Sequence, residues 1–483
     1  MSRLITLVAW ALASCVTLPA EPRWVRTQTE NFEIYSTASE KSIRDTLAQF
    51  EQVRDFFQKL LGRSDGRSTP IRVVAFSSAK EYEPYRLNES AIAYFGEGPE
   101  RETIVMSRLG EEEFHVAAHE YIHALVRRAG LRPPLWLNEG LAEFYSTLRP
   151  LGGKVIVGEI MPGRRNALLH EKWVPLSIIL SVDHKSPYYN EKNKAGSFYN
   201  ESWGLCHMLI TTQEYRPGLA AVMKALDQGK TSDEALATAY GKPVNAIDAD
   251  LQRYLRGNRF VAGEFPGKLI NEKQPASVEP APAFDVKVIL ADLAYHPGEH
   301  KEDEARKLLA ALISEEPSRP EPWALQGYLE LQQGHAAAAA ECFEKAFALG
   351  GRGPRMLWDY GQMLLASRPK DAVRVFNELV AIEPKRMDAR IELAAAQLQD
   401  GQPLAAGQIL TSIMKSVSPA EAPRFLVIGA YVDLAQGQRD AAQTVVERLR
   451  QVAATDQDRT ALAELERRLA QPEPNAGITP DRK

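Results

Sequence analysis

The sequence predicts an α+β chain in three parts: a mixed α/β amino-terminal part, a helical core organised around a metal-binding pair of helices, and an all-α superhelix of repeats. Three observations carry this reading. Between residues 31 and 107, short runs alternate apolar and polar residues at the period of strands, with one long helical run among them. His119 and His123 stand one helical turn apart, and Glu139 follows after a break at Pro133-Pro134. From about residue 283 the chain repeats itself at intervals of about 34 residues.

Length and composition agree. A chain of 483 residues has room for about three domain-sized units, and 45% apolar with 25% charged residues is ordinary for a soluble globular protein. The net charge of −5 and the lack of any long basic stretch exclude nucleic acid as a partner. No apolar run after the first twenty residues is long enough to cross a bilayer. The first twenty are themselves expected to be an export signal. Arg3 supplies the positive charge, Leu4 to Ala13 the short apolar run, and Leu12-Ala13-Ser14-Cys15 resembles a bacterial lipobox. Two outcomes stay open: a lipid anchor on Cys15, or ordinary cleavage near Ala20. Both place the protein in the periplasm or cell envelope. Cys206 and Cys342 fall in different parts of the chain, so neither a disulfide framework nor a cysteine-based metal site is indicated.

The α/β part spans residues 24–110. Asn31 to Ser36 and Ile71 to Phe76 read as strands, and Ser39 to Leu61 as a helix stopped by Gly62. Ile92 to Phe95 and Thr103 to Ser107 are expected to pair across a polar turn, the second forming a sheet edge beside a cleft. The helical core spans 111–262. Its first helix runs from Glu111 to Ala129, with Glu111, Glu112 and Glu113 at the positive end of the dipole and Arg127 and Arg128 at the negative end. A second helix starts near Leu135. From Val174 to Gly257 the pattern is mostly helical, broken by a polar loop from Asp183 to Gly196. Residues 263–282 read as a linker and 471–483 as a disordered tail.

The repeats occupy 283–470. Leu293, Gly327, Gly361, Ala394 and Gly429 align, as do the small residues Ala305, Ala339, Ala372, Ala406 and Ala441. Four residues after each of these comes a larger apolar residue: Leu309, Phe343, Phe376, Leu410 and Val445. This stretch resembles the tetratricopeptide repeat (TPR), a pair of antiparallel helices. The resemblance implies a protein partner on the concave face of the superhelix.

The chemistry sits around residue 119. A zinc ion in a hydrolase takes three protein ligands and leaves one position open. His119 and His123 share a helix face, and fifteen residues separate His123 from Glu139, enough for the chain to turn and return. Glu143, one turn after Glu139, is placed to accept a hydrogen bond from a ligand imidazole, with Asn138 beside it. His119-Glu120-Tyr121-Ile122-His123, followed by Leu137-Asn138-Glu139-Gly140-Leu141-Ala142, resembles the gluzincin metallopeptidases, the group of thermolysin and aminopeptidase N and of smaller peptidase-MA-like families. The stretch from Tyr199 to Leu209 is similar to the aminopeptidase segment that begins with a catalytic tyrosine, although Glu201-Ser202 replaces that family's Lys-Gly. The resemblance covers about residues 90 to 215. It implies one zinc ion on His119, His123 and Glu139, Glu120 as the proton acceptor of the attacking water, and Tyr199 as donor to the oxyanion.

Thr103 to Ser107 lacks the glutamate-asparagine pair with which aminopeptidases grip a free amine, so an endopeptidase is favoured. Other residues have blander assignments. His115 reads as a surface histidine, since a fourth protein ligand would close the open position. His184 and His207 are weaker alternatives to Tyr199, and Tyr188 and Tyr189 flank a possible substrate-covering flap. Trp136 is expected to pack the turn between the metal helices. The expected function is therefore an exported zinc metallopeptidase with protein-binding repeats. The alternative is a cell-envelope TPR scaffold whose zinc domain is structural or degenerate.

Overall fold

A computed structural model describes residues 23–62, 69–88, 91–151, 154–257, 260–266, 277–294 and 302–471. The expected signal, its Cys15 and the tail beyond 471 lie outside these residues. Contacts divide the chain into two compact units. The first holds the described residues up to 286, except 69 and 96–102; the second holds those and everything from 287. Among the described residues, no helix is long and apolar enough to cross a membrane.

Nine strands are described: β1 (Val25–Gln28), β2 (Phe32–Ser36), β3 (Ile71–Ala75), β4 (Ala93–Glu97), β5 (Glu102–Met106), β6 (Arg149–Leu151), β7 (Lys154–Val157), β8 (Gly263–Pro266) and β9 (Glu279–Pro280). Six form a sheet in the order β4-β5-β3-β2-β1-β9; the other three form a small sheet, β6-β7-β8. At the centre of the larger sheet β2 and β3 run parallel, Phe32 opposite Ile71, and β3 runs parallel to β5. Two expectations change here. β5 is not an edge: pairing with β3 on one side and β4 on the other puts β4 outermost. The stretch expected to be a linker also begins and ends in strand, since β8 pairs with β7 and β9 with β1. Extended chain along an open sheet edge satisfies backbone groups there, and its Pro-rich composition concealed the pairing.

The helices of the first unit are α1 (Glu40–Leu61), α2 (Ala79–Tyr82), α3 (Glu111–Arg128), α4 (Leu135–Tyr145), α5 (Pro162–His170), α6 (Leu176–Ser181), α7 (Pro187–Asn190), α8 (Lys192–Thr211), α9 (Leu219–Asp227), α10 (Ser232–Tyr240) and α11 (Val244–Arg256). The Ser39 side chain caps α1 by accepting from the Ser42 amide, and Gly62 closes it at φ 61°, a left-handed turn that favours glycine. Both sheet and helices bury aromatic residues together. Phe32 stacks on Phe50 of α1 at 5.5 Å, and both meet Tyr121 of α3 edge-on. Complete burial of such a ring stabilises by about 1.5–3 kcal/mol, so this cluster fixes α3 against the sheet. Tyr121, Ile122, Ala118 and Leu125 face that core. Helical geometry then turns His119 and His123 to the other side, toward α4.

A second core lies under α4, α6, α8 and α11 and contains Trp136, Leu137, Trp203, Leu205 and Leu251. Trp136, expected in the turn between the metal helices, is buried in this core instead, its indole N–H donating to Ser232 Oγ at 2.9 Å. The polar loop from Asp183 is shorter than expected: α7 lies within it and α8 begins at Lys192, so Tyr199 stands two turns inside a helix rather than at its start.

The second unit is TPR-like helical repetition. Its helices are α12 (Ala283–Ala294), α13 (Glu302–Glu315), α14 (Pro320–Gln332), α15 (Ala336–Ala348), α16 (Pro354–Leu364), α17 (Pro369–Ile382), α18 (Met387–Gln399), α19 (Pro403–Ile413), α20 (Ala422–Ala435), α21 (Arg439–Val452) and α22 (Asp456–Ala470). From α14 to α21 they pack as four hairpins, each against the next, and α13 joins α14 in the same way. The aligned small residues explain the approach. A Cβ on Gly327 would lie 2.4 Å from the Phe343 ring, and one on Gly361 would lie 2.7 Å from Phe376. In the last hairpin the register moves by one residue. Ala430, Ala442 and Val446 are fully buried, whereas Ala441 is exposed. The longer turn after α19 absorbs the extra residue. Helix α22 packs on α20 and α21 through Leu465, covering the last hairpin as repeat arrays require.

Candidate metal centre

The α3 and α4 helices bring three donor atoms together. His119 Nε2 and His123 Nε2 are 3.0 Å apart, and Glu139 Oε2 lies 3.3 Å from the first and 3.2 Å from the second. Three ligands at about 2.0–2.1 Å from one ion, in tetrahedral arrangement, stand about 3.3 Å from each other. The three side chains therefore already have the spacing that zinc requires, and two imidazoles with one carboxylate are a hydrolytic zinc donor set. The residues fit the metal.

Electrostatics point the same way. Burial alone would raise the Glu139 carboxyl, but hydrogen bonds from His119 and His123 outweigh it and hold it down at about 2. Burial opposes the charged form of His119, yet Glu139, Glu143 and Glu120 together raise its pKa. The charge that draws a proton to His119 is the charge a divalent cation neutralises. Glu143 Oε1 lies 3.4 Å from His119 Nδ1, on the far side of the ring from the cluster. A proton on Nδ1 would serve that contact and leave the Nε2 lone pair free. His123 differs: its Nδ1 is buried and has no hydrogen-bond partner among the described residues.

Glu120 is half-buried beside the pair, near enough for its carboxylate to act on His119 and on Tyr199. Burial, then Glu139, Tyr189 and Glu120, drive the Tyr199 pKa well above its ordinary value, so the phenol keeps its proton and can donate it. Tyr189 of α7 lies against Tyr199, with ring centroids 6.3 Å apart. The Asn138 side chain forms no hydrogen bond with these groups among the described residues.

Among the described residues, the other histidines lie outside this cluster. His207 is fully buried between Gly158 O, 2.8 Å from Nε2, and the Tyr254 hydroxyl, 2.6 Å from Nδ1. Nε2 must donate to the carbonyl, so Nδ1 accepts from Tyr254, and burial lowers the pKa of the ring. This histidine is a structural bridge. His184 is exposed and meets Tyr189 edge-on at 5.3 Å, and His115 lies outside the donor cluster.

Arg164, which no motif marks, also belongs to this region. From α5 it donates through Nη2 to Glu143 Oε1 and through Nη1 to Asn200 Oδ1 at 3.0 Å. An arginine in a short helix carries no signal of its own; only the fold shows what it touches.

No family model and no curated protein matches the sequence. Among solved structures the chain resembles TPR proteins over part of its length. One is described as "YrrB: a TPR protein with an unusual peptide-binding site"; it is 14% identical, spans 38% of this chain and 98% of its own, and has a TM-score of 0.33. PilF of Pseudomonas aeruginosa is 20% identical over 39% of this chain and 90% of its own, with a TM-score of 0.26. PilW, described as a widely conserved type IV pilus biogenesis factor, is 17% identical over 39% and 93%, with a TM-score of 0.28.

Proposed function

We propose that this chain is a protein-binding repeat protein whose first unit holds one zinc ion on His119, His123 and Glu139 and hydrolyses peptide bonds. The mutual spacing of the three donor atoms, 3.0–3.3 Å, is the observation that carries the reading. A zinc ion bound there supplies Lewis acidity and acidifies water. Glu120 accepts the proton of the attacking water and passes it to the leaving amine. Tyr199, kept protonated, donates a hydrogen bond to the oxygen on which negative charge develops. Glu143 orients His119. In this reading the repeats bind a polypeptide partner or substrate.

A second reading is a TPR scaffold whose zinc centre no longer turns over. The orphaned Nδ1 of His123 favours it, because a ligand imidazole in a working site almost always donates to a fixed acceptor. A peptide library digested with the wild-type chain and with Glu120→Gln separates the two. The hydrolytic reading expects cleavage by wild type only, with zinc retained in both. Equal digestion by both proteins removes Glu120 from its role, and no cleavage by either favours the scaffold.

A further inference from the structure

We propose that Arg164 is a positioning residue of the metal centre, acting on zinc affinity through Glu143. The inference rests on the zinc reading above. Glu143 is buried, and its Oε1 is shared between Arg164 Nη2 and the Nδ1 side of His119. The guanidinium and the carboxylate meet where the tautomer of a zinc-binding imidazole is decided. Arginine suits this place because its planar fork serves two acceptors at once in fixed directions.

The second prong gives the contact a further consequence. Asn200 is buried and adjoins Tyr199 in α8, and Nη1 of Arg164 holds its side-chain oxygen at 3.0 Å. One guanidinium from α5 thus ties the helix that carries Glu139 and Glu143 to the helix turn that carries Tyr199. Glu143 does the orienting, and Arg164 holds Glu143 in place.

The test is zinc affinity of the full chain at fixed pH, read by competition with a chromophoric chelator, for wild type, R164A, R164Q, R164K, E143Q and the R164A/E143Q double variant. Far-UV circular dichroism accompanies each protein. R164A, R164Q and E143Q are expected to weaken zinc binding by about 10- to 100-fold. The double variant is expected to be no weaker than the weaker single variant, and R164K, which keeps the charge but loses the fork, recovers part of the loss. Should R164A fail to fold, R164Q, closer in size, supplies the comparison. Folded R164A or R164Q within about twofold of wild type, or losses that multiply in the double variant, overturn the assignment and leave the zinc reading standing. A wild-type chain that binds no zinc overturns both.

Discussion

Gly140 and Ser202 touch backbone to backbone: a Cβ on Gly140 would lie 2.4 Å from the Ser202 carbonyl oxygen and equally close to Cys206 Sγ. This is where α4, carrying the ligand Glu139, packs against α8, carrying Tyr199. Glycine is required by the close approach. Gly140→Ala must push the two helices apart, at a cost of about 1–3 kcal/mol. Denaturant titration measures this, and a shift of the midpoint to lower denaturant with unchanged slope is expected.

Glu201, the neighbour of Ser202, gives a pH dependence. Burial pushes its carboxyl up to about 8, and one oxygen has no partner among the described residues, while the other accepts from the Val174 amide at 2.8 Å. The folded chain therefore keeps Glu201 neutral between about pH 5 and 8, where the unfolded chain has released the proton. Stability falls across that window as pH rises, by up to about 1.4 kcal/mol per unit from this group. In Glu201→Gln the fall from this group disappears, so the variant gains on wild type at pH 8 and not at pH 4. Unfolding curves at both values check the sign.

His207→Leu separates structure from metal. The substitution leaves Gly158 O and the Tyr254 hydroxyl without the imidazole, and about 1–3 kcal/mol of stability goes with it. Zinc content should not change, because the ring lies outside the donor cluster. Thermal melts paired with metal analysis read both quantities.

Tyr199→Phe removes one hydroxyl and keeps the ring against Tyr189 and Phe198. If that hydroxyl serves the oxyanion, kcat on any cleaved peptide drops by about 10²- to 10³-fold with zinc still bound. An unaltered kcat assigns the donor to another group, such as Tyr189, which packs against the same ring.

Much of the frame was legible because it depends on local signals. The Gly62 stop, the acidic start of α3 and the double proline before α4 each act within one turn, so their elements begin and end close to where the sequence puts them. The closeness of His119, His123 and Glu139 was legible for the same reason: a helical turn fixes His119 against His123, and a short return places Glu139. The small-residue repeat was read correctly until a longer turn displaced Ala441 in favour of Ala442. Distant pairings could not be read. The β9 strand joins β1 across more than two hundred residues, and Arg164 reaches Glu143 and Asn200 from a helix with no motif. Such contacts depend on how elements pack, which no local pattern encodes.

Zinc K-edge X-ray absorption of the purified chain reads the proposed centre itself. One zinc per chain is expected, with a first shell of nitrogen and oxygen at about 2.0–2.1 Å and the outer-shell scattering of two imidazoles. That signal should be lost in Glu139→Ala. A chain that purifies free of metal, or a shell containing sulfur at about 2.3 Å, would contradict it.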